Sequence, residues 1–308
     1  MRNAFAKQIE ILAENDPRVV LLMGDIGNRM FNKFQEKFPN RFFNAGIAEA
    51  NMITMAAGMA AEGLRPYCYT IAPFVTSRAY EQIKLDLGYH HLPVVLIGTG
   101  AGLSYASLGA THHSLEDVGI MRTVPGMQIL SPGDSLELEA LLDMSLSFSN
   151  PSYIRIGKKG EPVIHAQKPD LKLGKNYLIQ DGNDLCIFSM GNMLPSSIQA
   201  AEELATKGYS VRVESVPSLV PFDHASAHSA IKAFKVLATV EEHGKVGGLG
   251  DIVASIYAET GNRSAQIVRF DAGREFLHLT CNQDEAREHL GLSPEKISST
   301  LAQKLSNL

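Results

Sequence analysis

Residues 42 to 49 read Phe42-Phe43-Asn44-Ala45-Gly46-Ile47-Ala48-Glu49, and the chain then runs into a helix of small residues, Ala50 to Gly63. A short apolar strand therefore delivers one carboxylate, Glu49, to the first turn of a helix. Met52, Ala56, Ala57 and Ala60 fall on the side of that helix suited to close packing inside a protein. A carboxylate in this place satisfies free helix N–H groups and sits at the positive end of the helix dipole. Whether it does more depends on the rest of the half-chain.

Working outward, apolar runs alternate with helical patterning. The runs are Val19–Gly24, Tyr67–Ile71, Pro93–Thr99, Met127–Ser131 and Tyr153–Ile156, and helices are predicted over Asn3–Glu14, Ala48–Glu62, Ser77–Leu87 and Ser135–Phe148. Strands that are apolar at successive positions are buried on both faces, which predicts a mainly parallel sheet between layers of helices. Residues 157–176 break this rhythm with Gly157, Gly160, Pro162, Pro169 and Gly174. A second α/β series follows: strands Leu185–Met190, Ser210–Val216, Val236–Glu241 and Gln266–Phe270, and helices Pro195–Lys207, His224–Phe234 and one opened by Gly247-Gly248-Leu249-Gly250. The expected division is a domain over 1–165, a linker over 166–176 and a domain over 177–308.

The bulk numbers narrow the function classes. A chain of 308 residues, 45% hydrophobic and 20% charged, is long enough for two cores. A net charge of −5 and a pI near 6.1 leave no basic footprint for nucleic acid or an anionic membrane. No apolar run is long enough to cross a bilayer, and the start Met-Arg-Asn-Ala-Phe-Ala carries no basic-then-apolar signal pattern. Cys68, Cys186 and Cys281 are scattered and form no C-x-x-C pair, as for reduced thiols in the cytoplasm, the expected location.

Two further stretches give Glu49 its context: Pro73-Phe74-Val75-Thr76-Ser77-Arg78-Ala79-Tyr80-Glu81-Gln82 and Gly109-Ala110-Thr111-His112-His113. With Glu49, in this order and spacing, they resemble the pyrimidine-binding domain of transketolase-type enzymes. The second half, with Val240-Glu241-Glu242-His243 before the Gly247–Gly250 run, resembles the transketolase C-terminal domain. The resemblance implies a thiamine-diphosphate pyrimidine-binding fold followed by a transketolase C-terminal-like fold.

That likeness also implies roles. Thiamine diphosphate works only when its thiazolium carbon loses a proton, and its own aminopyrimidine removes it. The necessary imino tautomer is favoured by a carboxylate bonded to the ring nitrogen far from the amino group, which would be Glu49. Phe74 matches the aromatic that stacks on the pyrimidine. Asp25, in Gly24-Asp25-Ile26-Gly27-Asn28, ends a strand where open α/β sheets bind ligands, and matches an aspartate near the cofactor; capping the following turn is the competing physical use. His112 would handle protons of sugar hydroxyls, a task suited to a side chain titrating near neutrality. Arg78 and Lys158 fall near positions that hold the anionic group of a sugar phosphate, as does Arg2, which reads equally as a terminal residue.

The departures are as informative. An aspartate that contacts substrate hydroxyls is replaced by Leu108, and a histidine of full-length transketolases corresponds to about Gly100, so the usual sugars are in doubt. The Gly-Asp-Gly motif and later Asn that hold the metal-bound diphosphate have no counterpart: Gly24-Asp25-Ile26-Gly27 and Gln180-Asp181-Gly182-Asn183 each lack one glycine. The glycines of Gly98-x-Gly100-x-Gly102 lack the third glycine of a dinucleotide loop, and His224-x-x-x-His228 lacks the glutamate of a zinc motif. The expected protein is the C-terminal subunit of a split transketolase-like enzyme. Magnesium or another divalent metal would be held by a partner carrying the diphosphate-binding domain, no metal by this chain, and the chain would self-associate into a dimer or heterotetramer. The alternatives are the beta subunit of a 2-oxoacid dehydrogenase, a deoxyxylulose-phosphate-synthase-like enzyme, and a non-catalytic scaffold subunit.

Overall fold

The computed structural model describes residues 1–26, 29–261 and 265–307. Gly27 and Asn28, which close the stretch read around Asp25, lie outside the described residues. The first sheet takes β1 (Val19–Met23), β2 (Phe42–Asn44), β3 (Arg65–Ile71), β4 (Val95–Thr99), β5 (Gln128–Leu130) and β6 (Ser152–Ile156). The second takes β7 (Tyr177–Gln180), β8 (Leu185–Ser189), β9 (Val211–Ser215), β11 (Val236–Val240) and β12 (Gln266–Phe270), while β10 (Ser218–Val220) crosses back to the first. The order in the seven-stranded sheet is β10-β5-β6-β4-β3-β1-β2, and in the five-stranded sheet β12-β11-β8-β9-β7. Pairing is parallel except at β10 with β5 and β7 with β9. This is the expected two-part α/β plan.

Period-two alternation shows why β1, β3 and β4 read as unbroken apolar runs. Val20, Leu22, Cys68 and Leu96 face one helical layer, while Val19, Leu21, Met23, Tyr67, Tyr69, Val95 and Ile97 face the other. The first of these clusters continues without interruption to Cys186, Phe188 and Leu237 of the second sheet. The small-residue helix spans Glu49–Ala61 and buries Met52, Ile53, Ala56, Ala57 and Ala60. In the second half, the glycine run opens the helix Leu249–Thr260, and the buried Glu241 carboxylate accepts its Leu249 and Gly250 amides at 2.7 and 2.8 Å.

One helix departs from its predicted form. The helix expected over Ser77–Leu87 starts later, at Tyr80, and runs from Tyr80–Gln82 directly into a wide π-type segment Ile83–Tyr89, while a separate short helix, Ala72–Val75, and a turn precede it. The Thr76 and Ser77 hydroxyls donate to the Ala72 and Pro73 carbonyls, both at 2.8 Å, and satisfy the end of the first short helix locally. The short helix and the turn after it set Phe74 and Arg78 at the carboxyl edge of the sheet. Among the described residues, no helix is long and apolar enough to cross a membrane.

Candidate active site

Because β1, β3 and β4 are parallel neighbours, their carboxyl ends lie on one edge, where Gly24 and Thr99 give way to loops and Ile71 to the short helix Ala72–Val75. Glu49 reaches this edge from the head of its helix, with its side chain only 3% exposed. Its Oε2 accepts a 2.9 Å hydrogen bond from Arg78 Nη1. Among the described residues it accepts no backbone amide, and Met52 N donates to Ala48 O at 2.9 Å. The carboxylate is therefore not serving as a cap. The local backbone allows its approach: a Cβ at Gly24 would meet the Thr70 hydroxyl at 2.9 Å and Glu49 Oε1 at 3.6 Å.

Arg78 makes a second contact. Its Cζ lies over the Phe74 ring, 4.0 Å from the centroid. On from Phe74, the ring of His112 stands edge-on with centroids 5.3 Å apart, and the Tyr105 ring approaches His112 at 5.8 Å. Lys158 Nζ lies 4.5 Å from the Tyr105 centroid. Glu49, Arg78, Phe74, His112, Tyr105 and Lys158 thus form one continuous run of contacts. Burial, with His113 and the Arg78 charge beside it, pushes the His112 imidazole below its ordinary value. It is then largely neutral near pH 7, with Nδ1 2.9 Å from Thr111 Oγ1.

Asp25 stands slightly apart. It is exposed, its Oδ1 accepts from Asn44 Nδ2 at 3.1 Å, and its amide donates to the Gly46 carbonyl at the same distance. Its bonds brace the loop that brings in Glu49 and lead away from the Phe74–His112 run.

Tyr105 was missed by sequence reasoning. Gly100 has φ of 81°, and a Cβ there would collide with the Tyr105 ring, which occupies the space a side chain at 100 would enter. Burial pushes the Tyr105 phenol up, with Arg2 close enough to oppose that shift. The Arg2 Nε is buried without a hydrogen-bond partner. The signal available in the sequence was an aromatic residue inside the glycine-rich loop that leads to His112. The neighbouring glycines serve the same close packing, Gly98 against Tyr153 and Gly102 against Glu242, rather than a phosphate cradle.

Leu108, at the place of the substrate-contacting aspartate, is half exposed. Asp181 bonds its own turn and Arg212 at 2.7 Å. Among the described residues no group of three His, Cys, Asp or Glu is disposed to hold a metal ion, His224 and His228 included.

Two tandem, mostly parallel sheets with a buried carboxylate and an aromatic wall at the carboxyl edge of the first define an α/β chain whose candidate ligand site lies at that edge. The family models are specific. The one described as "Transketolase, pyrimidine binding domain" matches residues 1–161, and "Transketolase, C-terminal domain" matches residues 174–297. The chain belongs to the transketolase family. It is 38% identical over 264 residues to one subunit of the apulose-4-phosphate transketolase of Actinobacillus succinogenes, covering 86% of this chain and 85% of that one. It is 35% identical over 261 residues to a 6-deoxy-6-sulfo-D-fructose transketolase subunit of a Clostridium species, covering 84% and 81%. A solved structure described as a split gene transketolase, inactive beta4 tetramer, superposes with a TM-score of 0.88 at 29% identity over 99% of this chain and 97% of that one.

Proposed function

We propose that the chain is one subunit of a two-polypeptide transketolase that transfers a two-carbon ketol unit between phosphorylated or otherwise anionic sugars. It would supply the pyrimidine side of a thiamine-diphosphate site. The observation that carries this reading is the seat of Arg78. A planar group bearing N–H donors lies over Phe74 while bonded to the buried Glu49, so the slot between acid and ring takes the shape and chemistry of an aminopyrimidine.

Thiamine diphosphate supplies, when bound, an acidic thiazolium carbon able to carry the ketol unit. Glu49 would hold a proton at the pyrimidine ring nitrogen, helped by burial that excludes competing water. Phe74 would fix the plane of that ring. His112, neutral near pH 7 and at the far end of the aromatic wall, would take and return protons of sugar hydroxyls. Lys158, beside Tyr105, would attract the anionic end of the substrate. Asp25 would keep the Glu49 loop in place. Magnesium and the diphosphate would be held by a partner polypeptide.

Isothermal calorimetry tests the division of labour. The chain alone should give little heat with thiamine diphosphate and magnesium, and full binding should appear when a partner with the diphosphate-binding domain is added. Tight magnesium-dependent binding by the chain alone sinks the split site. Turnover of a ketose rather than a pyruvate-like acid separates this reading from a 2-oxoacid dehydrogenase component.

A further inference from the structure

The loop that carries His112 begins at Gly100 and closes at Ser114, where Ser114 N donates to Gly102 O at 2.9 Å. Both ends of this loop are tied to one residue of the second half of the chain, Glu242. At the start, the buried Leu103 amide donates to Glu242 Oε1 at 2.7 Å. At the close, Arg155 Nη2 donates to Ser114 O at 3.1 Å and to the main-chain oxygen of Glu242 at 3.3 Å. Arg155 is itself fixed by a buried ion pair with Asp117, 2.8 Å from Nε to Oδ2.

Glu242 is fully buried, and its carboxylate gathers donors from two elements of the second half, the turn Gly191–Met193 and the helix Gln283–His289. Asn192 Nδ2 lies 3.0 Å from Oε1, Gln283 Nε2 lies 2.9 and 3.1 Å from the two oxygens, and Arg287 Nε bonds Oε2. Gln283 also reaches Ser104 Oγ of the loop at 3.4 Å. Leu103 and Ala106 pack on Leu277 and Ala286 in a small apolar cluster that the two halves share. Two residues beyond Leu103 comes Tyr105, whose ring touches His112.

We infer that Glu242 is a positioning residue for His112: through Leu103 and Arg155, the second domain sets the geometry of the loop that carries the proposed proton shuttle. The inference rests on the function proposed above only in what His112 does, not in what holds it. A carboxylate is needed here because every neighbour is a donor. An amide would turn one oxygen into an N–H group facing Arg287 or Leu103 N, leaving buried donors unmet.

The test uses the full chain with Glu242→Gln and Glu242→Asp. In Glu242→Gln, backbone hydrogen exchange over Leu103–Ser114 should quicken about 5- to 150-fold, the range for an unmet buried hydrogen-bonding group, while β1 and β3 keep their protection. The His112 titration followed by NMR should move up toward that of a free imidazole as the loop gains water, and Glu242→Asp should restore part of both. In the reconstituted enzyme, kcat should fall with cofactor affinity unchanged. A folded Glu242→Gln chain with unaltered loop exchange and an unaltered His112 titration overturns the inference. Loop exchange and the titration do not depend on turnover. A changed loop with unchanged kcat would instead count against the proposed role of His112. If Glu242→Gln does not fold, Gln283→Leu, at a partly exposed position, should give smaller shifts of the same sign, and no shift overturns the inference.

Discussion

The seat of Arg78 makes a prediction that separates two uses of this residue. Its sequence position implies a substrate contact, whereas its geometry puts it where the pyrimidine would lie. A flat ring stacking on the face of Phe74 that Arg78 covers has to displace the guanidinium. The displaced contacts are an ion pair in which Arg78 is 45% exposed and Glu49 3% exposed, and a cation–π contact at 4.0 Å. With one partner in solvent, the ion pair is worth about 0.2–1 kcal/mol. The cation–π contact adds about 0.5–2 kcal/mol. Together they total about 1–3 kcal/mol, or about 5- to 150-fold in affinity. Arg78→Met keeps the length of the side chain and removes the competing charge. It also leaves Glu49 buried with no partner in the free chain, a cost that a ring N–H would relieve, so both effects act in the same direction. Thiamine diphosphate should therefore bind the reconstituted variant more tightly, by calorimetry at fixed magnesium, and the free chain should unfold at lower denaturant. Unchanged or weaker cofactor binding together with a raised KM for an anionic sugar would refute the reasoning and return Arg78 to the substrate.

Glu49→Gln in the reconstituted enzyme should keep the fold and most cofactor affinity but slow exchange of the thiazolium proton about a hundred- to ten-thousand-fold; equal exchange in variant and parent, read by NMR, would remove Glu49 from catalysis. His112→Ala should leave that exchange fast and slow sugar turnover alone. Self-association is expected through the exposed side of the helix Glu49–Ala61, where Gly58 is open and Met55 and Met59 are half buried, together with Ile47 at 82% exposure; light scattering at micromolar concentration that finds only monomer, with or without the partner, contradicts it. The segment joining the halves should loosen toward alkaline pH. Burial opposes both charges, but at Asp134 the 3.0 Å bond to His165 and the His165, Glu137 and Ile164 amides outweigh it and hold the carboxyl low, while at His165 the Asp134 bond and the Glu137 carboxylate 3.6 Å away outweigh it and hold the imidazole high. The Asp134 contribution is lost only as pH falls through its lowered value, and that of His165 is lost as pH rises past about 6.5 and through its raised value. Tryptic cleavage at Lys158, Lys159 and Lys168 should accelerate across that alkaline limb, and His165→Gln should flatten the dependence.

Much of the fold was legible because burial on both faces writes itself into sequence as near-continuous apolar runs, and β1, β4, β8, β11 and the Tyr67–Ile71 part of β3 are such runs. What escaped was of another kind. β10 is only Ser218–Val220 and leaves its own half to pair antiparallel with β5, a choice set by tertiary packing against Ile129 and Leu130 rather than by any local pattern. The late start of the helix after Phe74 escaped because helical periodicity persists through Ser77–Ala79 while two hydroxyls close the preceding short helix from within.

At the site, legibility followed chemistry. Glu49, Phe74, Arg78 and His112 are residue types that announce a task at a recognisable spacing, and the fold brings them into contact within one edge. Tyr105 and Glu242 announce nothing, since a tyrosine in a loop and a glutamate after a strand are ordinary. Their meaning lies in what they exclude or gather: Tyr105 fills the space that Gly100 leaves, and Glu242 collects donors from elements about 40 to 140 residues distant in sequence. Such roles come from convergence, and convergence is fixed by topology. The parallel order of the first sheet puts the His112 loop beside β6, and the Arg155 of β6 lies against Glu242, which follows β11. A side chain acquires its environment only through that path. Sequence spacing therefore marks the candidate groups, and the tertiary arrangement shows what holds them in place.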